Sequence, residues 1–96
     1  MQVTITRSKK ADKTYDAIID GKKTVSFGAK GYSDYTQHKD KERKERYEKR
    51  HKTNEDWSDP TTAGFYAKHI LWNKPTIKGS IADLNKKFAK LQVKLK

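Results

Sequence analysis

The chain has 96 residues, no Cys, 36% charged against 32% hydrophobic residues, and a formal net charge of +11. A chain of this length buries roughly 60–70% of its unfolded surface, enough for one modest core in a single domain spanning residues 1–96, and the absence of thiols excludes a disulfide framework or a thiolate metal site. The opening MQVTITRSKK has no apolar core of a signal peptide, and no stretch approaches the ~20 apolar residues of a membrane span, so the expectation is an intracellular protein with no membrane partner.

Residues 1–28 carry strand patterns. Val3 and Ile5 alternate with polar neighbours, "TYDAIID" supplies β-branched and aromatic residues, and "TVSFG" sets Val25 and Phe27 on one face with Thr24 and Ser26 on the other. Asp20-Gly21 is a two-residue hairpin signal, because both positions tolerate positive φ, and Lys9 to Lys13 form a looser basic turn. The expected result is a three-stranded antiparallel meander.

Residues 29–38 form a Gly/Tyr connector, in which Gly28, Gly31, Tyr32 and Ser33 end the sheet pattern. Lys39 to Lys52 contains no Gly, Pro or β-branched residue, and Glu42–Arg46, Glu45–Lys49 and Glu48–Lys52 are favourable i,i+4 pairs. A charged helix is expected over 39–52, capped by Thr36 or Asp34. A buried helix is expected over 59–73, with Asp59 as cap, Pro60 at its first position and Lys74-Pro75 at its end; it is apolar nearly all round, with His69 inside it as a hydrogen-bonded core residue. An amphipathic basic helix is expected over 80–93. It opens on the capping-box-like pair Ser80 and Asp83, carries Ile81, Leu84, Phe88, Leu91 and Leu95 at spacings of three and four, and has Lys86, Lys87, Lys90 and Lys94 behind. Three strands followed by three helices make an α+β fold with the last two helices packed on the sheet.

The charge is uneven. Residues 1–38, 39–56 and 57–96 carry +3, +2 and +6. A domain this basic concentrates polyanions, of which nucleic acid is the commonest inside cells. On a helix, Lys39, Arg43, Arg46 and Arg50 fall in one stripe about 16 Å long, suited to a row of phosphates, while Glu42, Glu45 and Glu48 lie largely behind. The alternative is a solvated face that only keeps the helix soluble. Lys30, Tyr32 and Tyr35 stand at one end of the stripe, where the tyrosines either stack on exposed bases or anchor the sheet to the helix. Asp34 with His38, and His51 with Glu55, have the i,i+4 spacing of paired metal ligands, a spacing also common by chance. No Gly-rich phosphate loop, nucleophile elbow or thiol is present, so neither a cofactor nor a catalytic role is expected.

"FGAKGYSDYTQHKDKERKERYEKRHK", followed by "TAGFYAKHILWNKPT" and the "SI" opening the last helix, resembles a family of short, basic, functionally uncharacterised proteins of large DNA viruses, with relatives in phage and environmental viral sequences. The resemblance covers residues 14–88. It implies a viral setting, in a host cell and in the virion, and no chemistry. The charge leads to a non-catalytic nucleic-acid-binding protein, of DNA or RNA, that contacts phosphates with little sequence preference, and the resemblance adds a minor structural or adaptor protein that meets the capsid or another acidic virion surface. A third, a metal-dependent nuclease, rests on Asp34, His38 and neighbouring acids.

Overall fold

A computed structural model describes residues 1–31, 33–53 and 55–96. Strands β1 (Gln2–Arg7), β2 (Lys13–Ile19) and β3 (Lys23–Ala29) come first, then helices α1 (Tyr35–His38), α2 (Lys41–Lys52) and α3 (Ala63–Tyr66), a π-helical turn Ala67–Leu71, helix α4 (Ile77–Lys87) and strand β4 (Gln92–Leu95). The fold is α+β with the strands of the meander before the helices, as the periodicity predicts. The sheet, however, is mixed rather than purely antiparallel. It has four strands in the order β3-β2-β1-β4, and β4 runs parallel to β1.

Alternation builds one apolar face. Val3 lies opposite Ile19 and Ile5 opposite Ala17, Ala17 opposite Val25, and Tyr15 opposite Phe27, with the last two rings stacked at 5.9 Å. The Asp20-Gly21 turn takes positive φ at both residues (51° and 68°), as a tight hairpin of this hand requires. The outer face is polar, and there Asp16 accepts from the Ser8 and Ser26 hydroxyls at 2.7 Å each. Phe65, Tyr66, Ile70, Leu71, Ile81 and Leu84 cover the inner face and close the core with Leu91 and Val93.

The C-terminal end corrects the expectation of a helix over 80–93. Helix α4 starts earlier, capped by the Thr76 hydroxyl on the Gly79 N–H, and stops at Lys87. Ser80 is not its cap but an interior residue that accepts from the Lys74 N–H at 2.9 Å. Leu91 and Val93 are buried while Gln92 and Lys94 are exposed, a period of two that "LQVKL" already carries. The free edge of β1 decides the matter: the Gln92 and Lys96 N–H groups donate to Met1 and Ile5 carbonyls at 2.9 Å, and the Asn85 amide clasps both backbone groups of Val93 at 2.7 and 2.9 Å. Buried backbone groups left unpaired are costly, and β4 pairs the edge of β1 from Gln2 to Ile5.

The middle helices differ too. Thr62, not Asp59, caps α3; Asp59 instead accepts from Thr61, closing a turn before it. The helix then widens into a π turn, closed by the Trp72 N–H on the Ala67 carbonyl at 3.1 Å. Leu71 settles against Gly28 of β3, where a Cβ would come within 2.9 Å of the Leu71 side chain and where φ is +78°. His69 is buried, with Nε2 donating to the Trp57 carbonyl at 2.9 Å. Burial lowers its pKa against the opposing effect of that hydrogen bond. Among the described residues no helix is long and apolar enough to cross a membrane.

Candidate nucleic-acid interface

The charged segment folds as two helices, not one. Asp34 caps α1, accepting from the Thr36 N–H and hydroxyl and from the Gln37 amide. Lys39 then turns left-handed at φ 56°, and Asp40 caps α2 through the N–H groups of Glu42 and Arg43. A residue with its own short acceptor side chain competes with the helical backbone at this point, so Lys39 leaves the helix on which sequence spacing placed it. The α2 stripe is therefore Arg43, Arg46 and Arg50.

These three arginines and Lys39 are exposed. Ion pairing among the described residues leaves all four aside: Lys44 meets Glu48 at 4.0 Å, Glu48 faces Lys68 at 3.9 Å, His51 meets Glu55 at 2.5 Å, and Lys87 meets Asp83 at 3.0 Å. The expected pairs Glu42–Arg46, Glu45–Lys49 and Glu48–Lys52 are not among them. Glu48 instead turns towards half-buried Lys68, whose pKa burial lowers and Glu48 raises.

One side chain moors α2 to the body. Tyr47 is its buried residue, and its ring lies on Trp72 at 4.4 Å with only 3° between planes. The π turn delivers Trp72 to this position. His51 stacks on the other face of Tyr47 at 4.3 Å, and His38 tilts against Trp72 at 5.3 Å. The result is an aromatic column of His38, Trp72, Tyr47 and His51. Burial pushes the Tyr47 hydroxyl pKa well above its usual value, and Glu55 adds to the rise.

Beside this column runs a cleft of about 1020 Å³. One wall is α2 with Arg43, Arg46, Lys49 and Arg50; the opposite wall comes from β3, α3 and the π turn, with Gly28, Ala29, Ala63 and Ala67, and Lys13 closes the sheet side. Guanidinium groups suit phosphates and carboxylates, because their N–H donors are held in a fixed fork that can meet two oxygens at once. Two acids also line the cleft, Asp34 and Glu55; Asp34 is taken up by its cap on α1, and Glu55 is tied to His51 and packed over Gly64, where a Cβ would overlap its carboxylate.

The remaining site expectations fare unequally. Tyr35 is buried, with Lys44 Nζ 5.3 Å from its ring centre, so it anchors the helices and offers no face to a base. Lys30 is exposed on the loop after β3 and stands outside the cleft, where Lys13 takes the corresponding place. Tyr32 lies outside the described residues. Of the two i,i+4 pairs, His51–Glu55 forms and Asp34–His38 does not: Asp34 spends its oxygens on its own cap, and His38 Nδ1 accepts from the Asp40 N–H at 2.9 Å. Lys13 and Lys49 are cleft cations that sequence reasoning missed, and Trp72, partly buried against the core, lines the cleft as well. Lys13 and Trp72 come from segments distant along the chain.

Residues 3–51 match a family described as a family of unknown function, DUF5754. The chain belongs to that family. The match runs from β1 through most of α2 and so includes the three arginines, whereas the opposite wall from α3 and Trp72 lies beyond it. No curated protein and no solved structure matches the chain.

Proposed function

We propose that this DUF5754 protein binds nucleic acid through backbone phosphates, without catalysing a reaction on it and with little sequence preference. The observation that carries this reading is the cleft mouth: Arg43, Arg46 and Arg50 are exposed beside Lys49 and are not neutralised by the acids of their own helix. A helix that needed charge only for solubility would gain by pairing its arginines with its glutamates. Lys39 and Lys30, outside the cleft, add to the general field rather than to fixed contacts.

The test is a salt series on duplex DNA. The four α2 cations at the cleft, Arg43, Arg46, Lys49 and Arg50, each neutralising one phosphate, give a slope of log affinity against log salt of about −3.6. Arg46→Ala and Lys49→Ala each flatten it by about 0.9, and Lys39→Ala leaves it unchanged. Binding that ignores salt, or that survives neutralisation of all four cations, would overturn the reading.

A second reading is an adaptor of a virion, in the viral setting that the resemblance implies. The same guanidinium forks accept carboxylates as readily as phosphates, so an acidic protein surface also fits the cleft mouth. Nuclease treatment of purified particles separates the two: release with the genome fragments supports nucleic-acid binding, and retention on the capsid supports the adaptor.

A further inference from the structure

We propose that the cleft holds a nucleobase lifted out of its stack, so that the preferred partner is a single strand, with the base against the aromatic column and its phosphates on the arginines of α2. This rests on the phosphate-binding reading above and adds the kind of nucleic acid.

Three observations carry it. The first is size. At about 1020 Å³ the cleft stands at the upper end of sites that enclose a small molecule, far more room than a row of surface phosphate contacts requires. The second is the column. His51 ends it, with one ring face on Tyr47 and a side chain that remains 42% exposed within the cleft. Bases stack on aromatic faces whatever their identity, and here a base extends the stack of Trp72, Tyr47 and His51 within that column. The third is the placement of charge around an apolar interior. Phe27, Ala63, Ala67 and Leu71 line the inside while Arg43, Arg46, Lys49 and Arg50 line α2, and the two acids in the lining, Asp34 and Glu55, are engaged by the α1 cap and by His51, an arrangement that suits a base carrying a phosphate. A base pair inside a duplex has both faces covered and shows only its groove edges. It cannot enter. A single strand exposes faces and phosphates together.

Anisotropy titrations of the full chain with labelled oligothymidylate, a duplex of equal length, and a free nucleoside monophosphate as competitor test this directly. The single strand is expected to bind about tenfold tighter than the duplex at the same salt. Ala63→Leu narrows the cleft at an exposed position without touching a cation, and should lower single-strand affinity about tenfold, to the level of the duplex. His51→Phe should keep the preference and His51→Ala should reduce it, which separates stacking from charge. Equal binding of both forms, with no response to Ala63→Leu, overturns the inference and leaves the phosphate reading standing. Loss of binding to every nucleic acid would instead defeat the phosphate reading itself. Competition by the monophosphate as effective, per nucleotide, as by the oligomer would overturn the strand as partner and assign the cleft to a free nucleotide.

Discussion

Replacing Tyr47 with Ala should detach α2 while leaving the sheet folded. Tyr47 is 6% exposed; a side chain of its class buries roughly 200 Å², worth about 4–5 kcal/mol at ~25 cal/mol per Å². Its stack on Trp72 adds about 1 kcal/mol. Against this, a helix of 12 residues is marginal by itself in water, and its other links among the described residues include the Glu48–Lys68 pair at 3.9 Å, Lys44 over Tyr35 at 5.3 Å and the His51–Glu55 pair, whose carboxylate packs on Gly64. Exposed pairs of this kind contribute about 0–1 kcal/mol each. Truncation therefore removes most of what holds α2 down. Native-state hydrogen exchange is the assay, since it resolves local opening from global unfolding. Amides of α2 should approach the exchange of a free peptide, whereas those of β1 and β2 should change by less than about 1 kcal/mol in opening free energy. Tyr47→Phe should keep α2 protected. Equal loss of protection in α2 and the sheet would refute the reasoning, as would an α2 that stays protected in the alanine variant.

Three further outcomes concern the core and the turn. Folding should lose stability as pH falls below about 6.5: His69 has a folded pKa lowered by burial, so its contribution is present above the unfolded value of 6.5 and is lost towards the lower folded value. His69→Gln keeps a donor for the Trp57 carbonyl but cannot titrate, and denaturant midpoints measured against pH should show a shallower limb above pH ~5. Tyr66, whose hydroxyl is buried without a hydrogen-bond partner among the described residues, has its pKa raised by burial to about 12. Its contribution is thus present below pH 10 and lost as pH rises towards 12, and Tyr66→Phe should be neutral or stabilising by up to about 1 kcal/mol while removing that alkaline loss. Lys39 has φ 56°, a conformation costing about 1 kcal/mol for a side chain other than Gly; Lys39→Gly should raise the thermal midpoint slightly and leave the salt slope of binding unchanged.

How far local pattern reaches differs from element to element. The Val3/Ile5 and Val25/Phe27 alternations and the Asp20-Gly21 turn are decided by neighbours two residues apart, and these elements form where the pattern places them. The region of Leu91 to Leu95 satisfies two periods at once, since Ile81, Leu84, Phe88, Leu91 and Leu95 follow helical spacing while Leu91, Val93 and Leu95 alternate. Only the vacant edge of β1, some ninety residues away in sequence, selects the strand. Lys39 illustrates a different failure. Helix propensity alone carries the helix through it, and the competing cap at Asp40 stops that.

The candidate site divides along the same line. Arg43, Arg46 and Arg50 share a face because α2 is a helix, and a helix there follows from composition. That they border a cleft does not, because its far wall is built by β3 and α3 and its column depends on Trp72. A π turn, with its hydrogen bond from Trp72 to Ala67, has no local signature of apolar spacing, and it exists here because Leu71 can close on Gly28 while Trp72 reaches Tyr47. Charge, hairpins and the cationic row are thus properties of short-range pattern. The cleft, the fourth strand and the mooring of α2 belong to packing between distant segments, where the balance of buried area and satisfied backbone groups can be settled only once the chain is folded.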